Sequence, residues 1–195
     1  MIVEKKEKVI CSHGFFELVD IEEEFVIDGA KKVTNHSFAR RSPGIRAIIV
    51  DKPNKKILFS KEFRYELNDW DYRLPGGKVF DTLSEYKDSL NRDDVDDCAL
   101  KAVAKEVLEE VGLVVHNPKL LKISKAGSSV IWDLYYYEIT DYKLSEIGTS
   151  LFGDEVMDGF VWKSYEEIIR DCINNKIHED RSVAVLLTYI NSVKK

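Results

Sequence analysis

The chain is 195 residues long, 44% apolar and 33% charged, enough for one buried core without disulfides and too apolar for disorder. Its 29 Lys+Arg against 35 Asp+Glu give a net charge of −6, which argues against a general nucleic-acid or membrane-surface binder, since both need a net basic face. No apolar run approaches the roughly 18 residues of a membrane span, and Met1 to Lys8 is charged, with no signal-peptide core behind it.

The first forty residues read as short strands, Phe15–Val19, Glu24–Ile27 and Lys32–Ala39, with a hairpin turn at Asp28-Gly29. Ile45–Val50 and Lys56–Phe63 form a second hairpin across Asp51-Lys52-Pro53-Asn54. Trp70–Gly77 (WDYRLPGG) reads as a strand ending in a proline-glycine break. From Asp81 to Asp97 seven acids stand against Lys87 and Arg92, a net of −5. This stretch predicts a solvated surface insertion, at about 81–96, with one short helix near Ser84–Leu90. Cys98–Val111 is the strongest helix signal: Ala99, Val103, Val107 and Val111 recur every four residues, and Leu100, Ala104 and Leu108 widen the stripe. Asp97 suits its N-cap or first turn, and Gly112 its stop. Strands follow at Lys119–Ile123, Val130–Thr140 and Phe160–Trp162. Ser164 can cap a helix through Cys172, and Arg181–Val193 forms the last helix, with Val183, Leu186, Leu187 and Ile190 on one face. Strands around a central helix, with helices clustered late, predict an α+β fold or a mixed αβα sandwich. The three cysteines, Cys11, Cys98 and Cys172, are odd in number and far apart, as in reduced thiols of a cytoplasmic protein.

On a regular helix Glu106, Glu109 and Glu110 fall within roughly 100° of one another, opposite the valines. Such carboxylates repel unless a cation lies between them, and hard oxygen donors suit Mg²⁺ or Mn²⁺ shared with substrate phosphates. The plain alternative is a solvated acidic face.

Together, Leu74-Pro75-Gly76-Gly77 and the run Lys105-Glu106-Val107-Leu108-Glu109-Glu110-Val111-Gly112-Leu113 resemble the Nudix box, G-x5-E-x7-R-E-U-x-E-E-x-G-U. Lys105 stands at the arginine position and Asp97 at the first glutamate. Nineteen residues separate Gly77 from Asp97 where the motif has five, and the surplus is the acidic insertion. The resemblance extends over most of residues 40–190. Glu62-Phe63-Arg64, Trp132-Asp133-Leu134-Tyr135, Phe160-Val161-Trp162 and Glu179-Asp180-Arg181-Ser182 look like the ADP-ribose pyrophosphatase branch. Lys125-Ala126-Gly127-Ser128-Ser129 departs from that branch, which usually has a proline there.

The resemblance implies a Nudix-like αβα sandwich with a mixed sheet over residues 41–195, preceded by a small N-terminal antiparallel β element at 1–40 that serves a homodimer. It implies metal-dependent hydrolysis of a nucleoside diphosphate linked to another moiety, ADP-ribose or a related nucleotide sugar. Glu106, Glu110 and the Gly76 carbonyl would be metal ligands. Glu109 and a late-loop acid, Glu155 ahead of Asp154 and Asp158, would be catalytic. Gly77, Asp97, Lys105 and Gly112 would support the site. Arg64 would hold phosphate, although it could equally pair with Glu62 or Glu66. Arg40, Arg41 and Arg46 could extend that pocket, with Arg46 the candidate ligand. Trp70, Tyr72 and Phe38 could stack on a base or simply fill the core. The rival function is a Nudix-fold module that binds a nucleotide with little turnover, favoured by the changes at Asp97 and Lys105.

Overall fold

The computed structural model describes residues 2–146 and 157–193. The chain opens on three long antiparallel strands, β1 (Ile2–His13), β2 (Phe16–Ile27) and β3 (Ala30–Arg41). The Asp28-Gly29 turn is where expected, both residues at positive φ. However, β1 is a full strand where no regular element was expected, and β2 is continuous where two short strands were. Pairing along the whole of β2 with both neighbours carries its charged middle.

The central sheet runs β12-β5-β4-β10-β8, with β6 alongside β5. It comprises β4 (Gly44–Asp51), β5 (Lys56–Arg64), β6 (Asp69–Arg73), β8 (Lys119–Ser124), β10 (Leu134–Ile139) and β12 (Met157–Ser164). β4 pairs parallel with β10 and antiparallel with β5, so the sheet is mixed. The expected strand 130–140 breaks at Trp132-Asp133: its first residues form β9 (Val130–Ile131), which pairs with β3 and ties the N-terminal sheet to the core. Leu113–His116 (β7) and Asp141–Leu144 (β11) form a small separate ribbon.

Successive residues of β4 face opposite sides of the sheet. Ile48 and Val50 pack on α3 (Tyr165–Ile173) and α4 (Asp180–Val193), while Ile45, Ala47 and Ile49 pack on α2 (Val95–Glu106). Helices on both faces explain why Ala47–Val50 is apolar without alternation. The fold is the α+β, Nudix-like sandwich with a mixed sheet that the sequence led us to expect. Ser164 caps α3 with Glu167 in a capping box. In α4 the buried apolar residues are Val185, Leu186, Tyr189 and Ile190, while Leu187 is exposed. No helix among the described residues is long and apolar enough to cross a membrane.

The acidic insertion differs from its expected solvated state. Its helix, α1 (Leu83–Arg92), begins in a Thr82–Glu85 capping box. Leu83 and Tyr86 are buried against Phe80, the two rings stacked at 5.7 Å. Lys87 reaches Glu17 of β2 at 2.7 Å, and Glu17 also lies 3.0 Å from Arg40. Arg40, paired with Glu7 as well, is thereby a buried structural residue.

Candidate active site

After β6 the segment 74–79 runs beside β4, with the amides of Ala47 and Ile45 donating to the Pro75 and Gly77 carbonyls at 2.8 and 2.9 Å. Gly76 faces the other way, and its N–H donates to Oε2 of Glu110 at 3.0 Å. Only glycine fits here, because a Cβ on Gly76 would lie 2.2 Å from the Ile45 carbonyl oxygen. A Cβ on Gly77 would lie 2.5–2.6 Å from the Glu106 carboxylate. The two glycines therefore cradle the two glutamates expected to be principal ligands.

The central helix starts at Val95, three residues earlier than expected, with Asp94 as N-cap. It changes at Val107–Val111 into a π-helical turn, a feature often found at functional sites. Ala99, Val103 and Val107 are buried, but Leu100 is 41% exposed and lies off the core face. Across the wider turn Glu106 and Glu110 both reach the glycine segment, while Glu109 turns to Lys105 at 3.8 Å. Asp97 is an exposed first-turn acid. Gly112 ends the turn in the left-handed conformation, as expected. Glu155 and Asp154 lie outside the described residues; Asp158 is paired with Lys61 at 2.5 Å.

Beside Glu110 opens a cleft of about 180 Å³ lined by Arg41, Arg46, Arg64, Arg73, Glu62 and Trp132. Its arginines differ in how they are held. Arg46 makes a buried two-pronged contact with Glu179 at 2.9 and 3.0 Å, and Arg73 reaches Glu179, Asp71 and Glu62 at 3.2–3.6 Å. Arg64 pairs with Glu66 at 2.7 Å and faces Glu62 at 3.7 Å while still lining the cleft. Arg41 instead lies over the Trp132 ring at 4.2 Å and, among the described residues, forms no ion pair. Burial and the neighbouring charges of Arg46 and Arg181 lower its pKa. The expected roles are thus redistributed. Arg46 is a wall braced by Glu179, and Arg41 carries the uncompensated charge. Arg73 went unnoticed in the sequence, although it immediately precedes the LPGG break.

Glu179 is the hub of this wall. Burial opposes its ionisation, but Arg46 and then Arg73 outweigh it and hold the carboxyl at about 2, below its ordinary 4.5. A lowered folded pKa adds stability that is complete above 4.5 and lost as pH falls towards 2, here about 3 kcal/mol. Unfolding followed by circular dichroism should show this loss between pH 4.5 and 2. In Glu179→Gln that part of the pH dependence should vanish and stability at neutral pH should fall by about 3 kcal/mol, because Arg46 remains buried without its counter-charge.

The Gly77 cradle gives a second expectation. Its Cβ contact is with the movable end of Glu106, so Gly77→Ala should fold and melt within a few degrees of wild type. Displacing that carboxylate should nevertheless cut activity about tenfold or more. A melting point lowered by 10 °C or more, with activity per folded molecule unchanged, would contradict this geometry.

No family model and no curated protein matches this chain. A crystal structure described as that of an ADP compounds hydrolase is similar across 100% of this chain and 94% of its own, with a TM-score of 0.64 and 14% sequence identity. At that identity the likeness establishes a shared fold.

Proposed function

We propose that this chain is a divalent-metal-dependent pyrophosphatase of the Nudix type, cutting a nucleoside diphosphate linked to another moiety, with ADP-ribose or a related nucleotide sugar as substrate. The observation that carries this reading is the convergence of Glu106 and Glu110 on Gly76-Gly77 beside an arginine-lined cleft. The fold shared with an ADP compounds hydrolase supports it.

Among the described residues no group of three or more acid, histidine or cysteine side chains forms an all-protein metal cage. Two carboxylates and one carbonyl do suit Mg²⁺, which binds through one or two carboxylates plus substrate phosphates. Glu106, Glu110 and the Gly76 carbonyl would hold it. Once bound, Mg²⁺ supplies Lewis-acid polarisation of a phosphoryl oxygen and lowers the pKa of a water. Arg41 and Arg64 bind and orient the phosphates through charge-assisted hydrogen bonds, with Arg41 preset by its stacking on Trp132. Glu179 keeps Arg46 and Arg73 from folding into the cleft. The proton of the attacking water goes to a carboxylate, and Glu109 and Glu155 remain the candidates.

Incubating the protein with ADP-ribose and Mg²⁺ should release AMP, and EDTA should stop it. Absence of AMP release across nucleotide sugars and dinucleotides, with nucleotide binding intact, would favour the binding-module reading. Among the described residues no third acid converges on Glu106 and Glu110, which supports that second reading.

We also assign the chain to a homodimer. Among the described residues β1 pairs with β2 alone and leaves a twelve-residue edge, with Val3, Val9 and Ile10 exposed on the strand. Its unpaired backbone groups are a template for strand pairing, and these apolar residues flank the charged run Glu4–Lys8. Light scattering at micromolar concentration should give twice the 22.5 kDa chain mass; a monomeric mass would remove this assignment.

A further inference from the structure

We propose that a lysine-lined groove beyond Glu106 selects substrates whose second half, attached through the diphosphate, carries its own phosphate. This rests on the pyrophosphatase reading and adds a substrate class to it. The groove, about 330 Å³, lies where the chain from Lys78 to Asp81 runs beside α2, and Lys78, Lys101 and Lys105 border it. Gly76 and Glu110 line the arginine cleft, the Glu106 carboxylate occupies the space a Cβ on Gly77 would need, and Lys78 and Glu106 border the lysine groove. The two clefts therefore follow one another along a single line between this segment and the helix, with the carboxylate pair at their junction. From Glu110 back to Lys101 is nine residues, about 13 Å of helix, comparable with an extended diphosphate-linked sugar.

The charges of the groove suit an anion. Among the described residues neither Lys78 nor Lys101 forms an ion pair; Lys78 lies over the Phe15 ring at 5.2 Å, and Lys105 touches only Glu109, at 3.8 Å. Two acids, Asp81 and Glu106, border the same groove, and Glu106 is engaged at the glycine cradle. Flexible stems let the ammonium groups converge on one phosphate. Orientation follows from the opposite end. The exposed flat rings, Tyr65 and Trp70, lie on the β5–β6 hairpin that carries Arg64 into the arginine cleft. The base belongs on that side and the second half of the substrate on the lysine side.

The test is calorimetric titration of the full chain with ADP-ribose and with ADP-ribose 1″-phosphate, in EDTA, where the metal-dependent reaction is stopped. Wild type should bind the phosphorylated ligand at least about tenfold more tightly, equal to about 1.4 kcal/mol. In the Lys78→Gln/Lys101→Gln double variant the two ligands should bind alike. Both lysines are exposed, so the variant should fold as wild type. Equal affinities in wild type, a preference that survives in the variant, or no binding of either ligand would each overturn the proposal. Failure of the pyrophosphatase reading shows separately, as no AMP release when Mg²⁺ is restored, and leaves the affinity ratio readable.

Discussion

Replacing Glu110 with Gln is expected to lower hydrolysis by at least about 10²-fold, a loss of about 2.7 kcal/mol of transition-state stabilisation. The substitution preserves size, helix propensity and an oxygen that can accept the Gly76 N–H, whose bond to Oε2 is 3.0 Å long. It removes one of two negative charges held a helical turn apart at the glycine cradle. The metal-free protein should therefore be as stable as wild type or slightly more so. Ligand linkage supplies the second readout. A metal at a hundred times its dissociation constant raises stability by about 2.7 kcal/mol, and that increment should shrink sharply in the variant. A solvated acidic face would show no metal-dependent stabilisation in either protein. A binding module would show metal-dependent nucleotide binding, sensitive to the substitution, without turnover. Hydrolysis at the wild-type rate under saturating metal would mean that the site is not on this helix.

What the sequence revealed and what it hid divides along contact distance. Glu106, Glu110 and Gly112 could be read because helical periodicity and a glycine stop are local signals, and the PGG break could be read beside them. Glu109 was expected on the same face because a regular 100° step was assumed, and nothing in Val107–Val111 announces a π-helical turn. Arg46 is braced by a carboxylate and Arg41 is not, for a reason no local pattern contains. The partner that neutralises Arg46 is Glu179, 133 positions away, at the start of the last helix. Three neighbouring arginines look alike in sequence; the fold gives Arg40 to Glu17, Arg46 to Glu179 and leaves Arg41 facing the cleft. Chain length in the acidic segment misled in the same way, since its net charge concealed two apolar residues three apart.

That segment yields the prediction on which sequence and structure disagree most. Surface loops lengthen at little entropic cost, about 0.6 kcal/mol per doubling, so a highly acidic insertion should be removable without penalty. The structure reverses this expectation. Replacing Thr82–Asp96 by a two-residue turn would strip Leu83 and Tyr86 from Phe80. It would also take away Lys87, which reaches Glu17, a side chain only 1% exposed, and Asp96, which accepts from the Tyr135 hydroxyl at 2.8 Å. Losing one buried leucine or large aromatic side chain typically costs about 2–5 kcal/mol, and leaving Glu17 with fewer counter-charges adds to it. The shortened protein should lose at least about 4 kcal/mol, a large share of a typical 5–15, and melt on the order of 10 °C lower. Two single variants separate the causes. Tyr86→Ala should account for roughly half of the loss through packing. Lys87→Met keeps the apolar stem and removes only the charge, so it should destabilise in proportion to how far Glu17 depends on it. A melting temperature within about 2 °C of wild type for the deletion would show that α1 rests on the surface without holding the N-terminal sheet to the core.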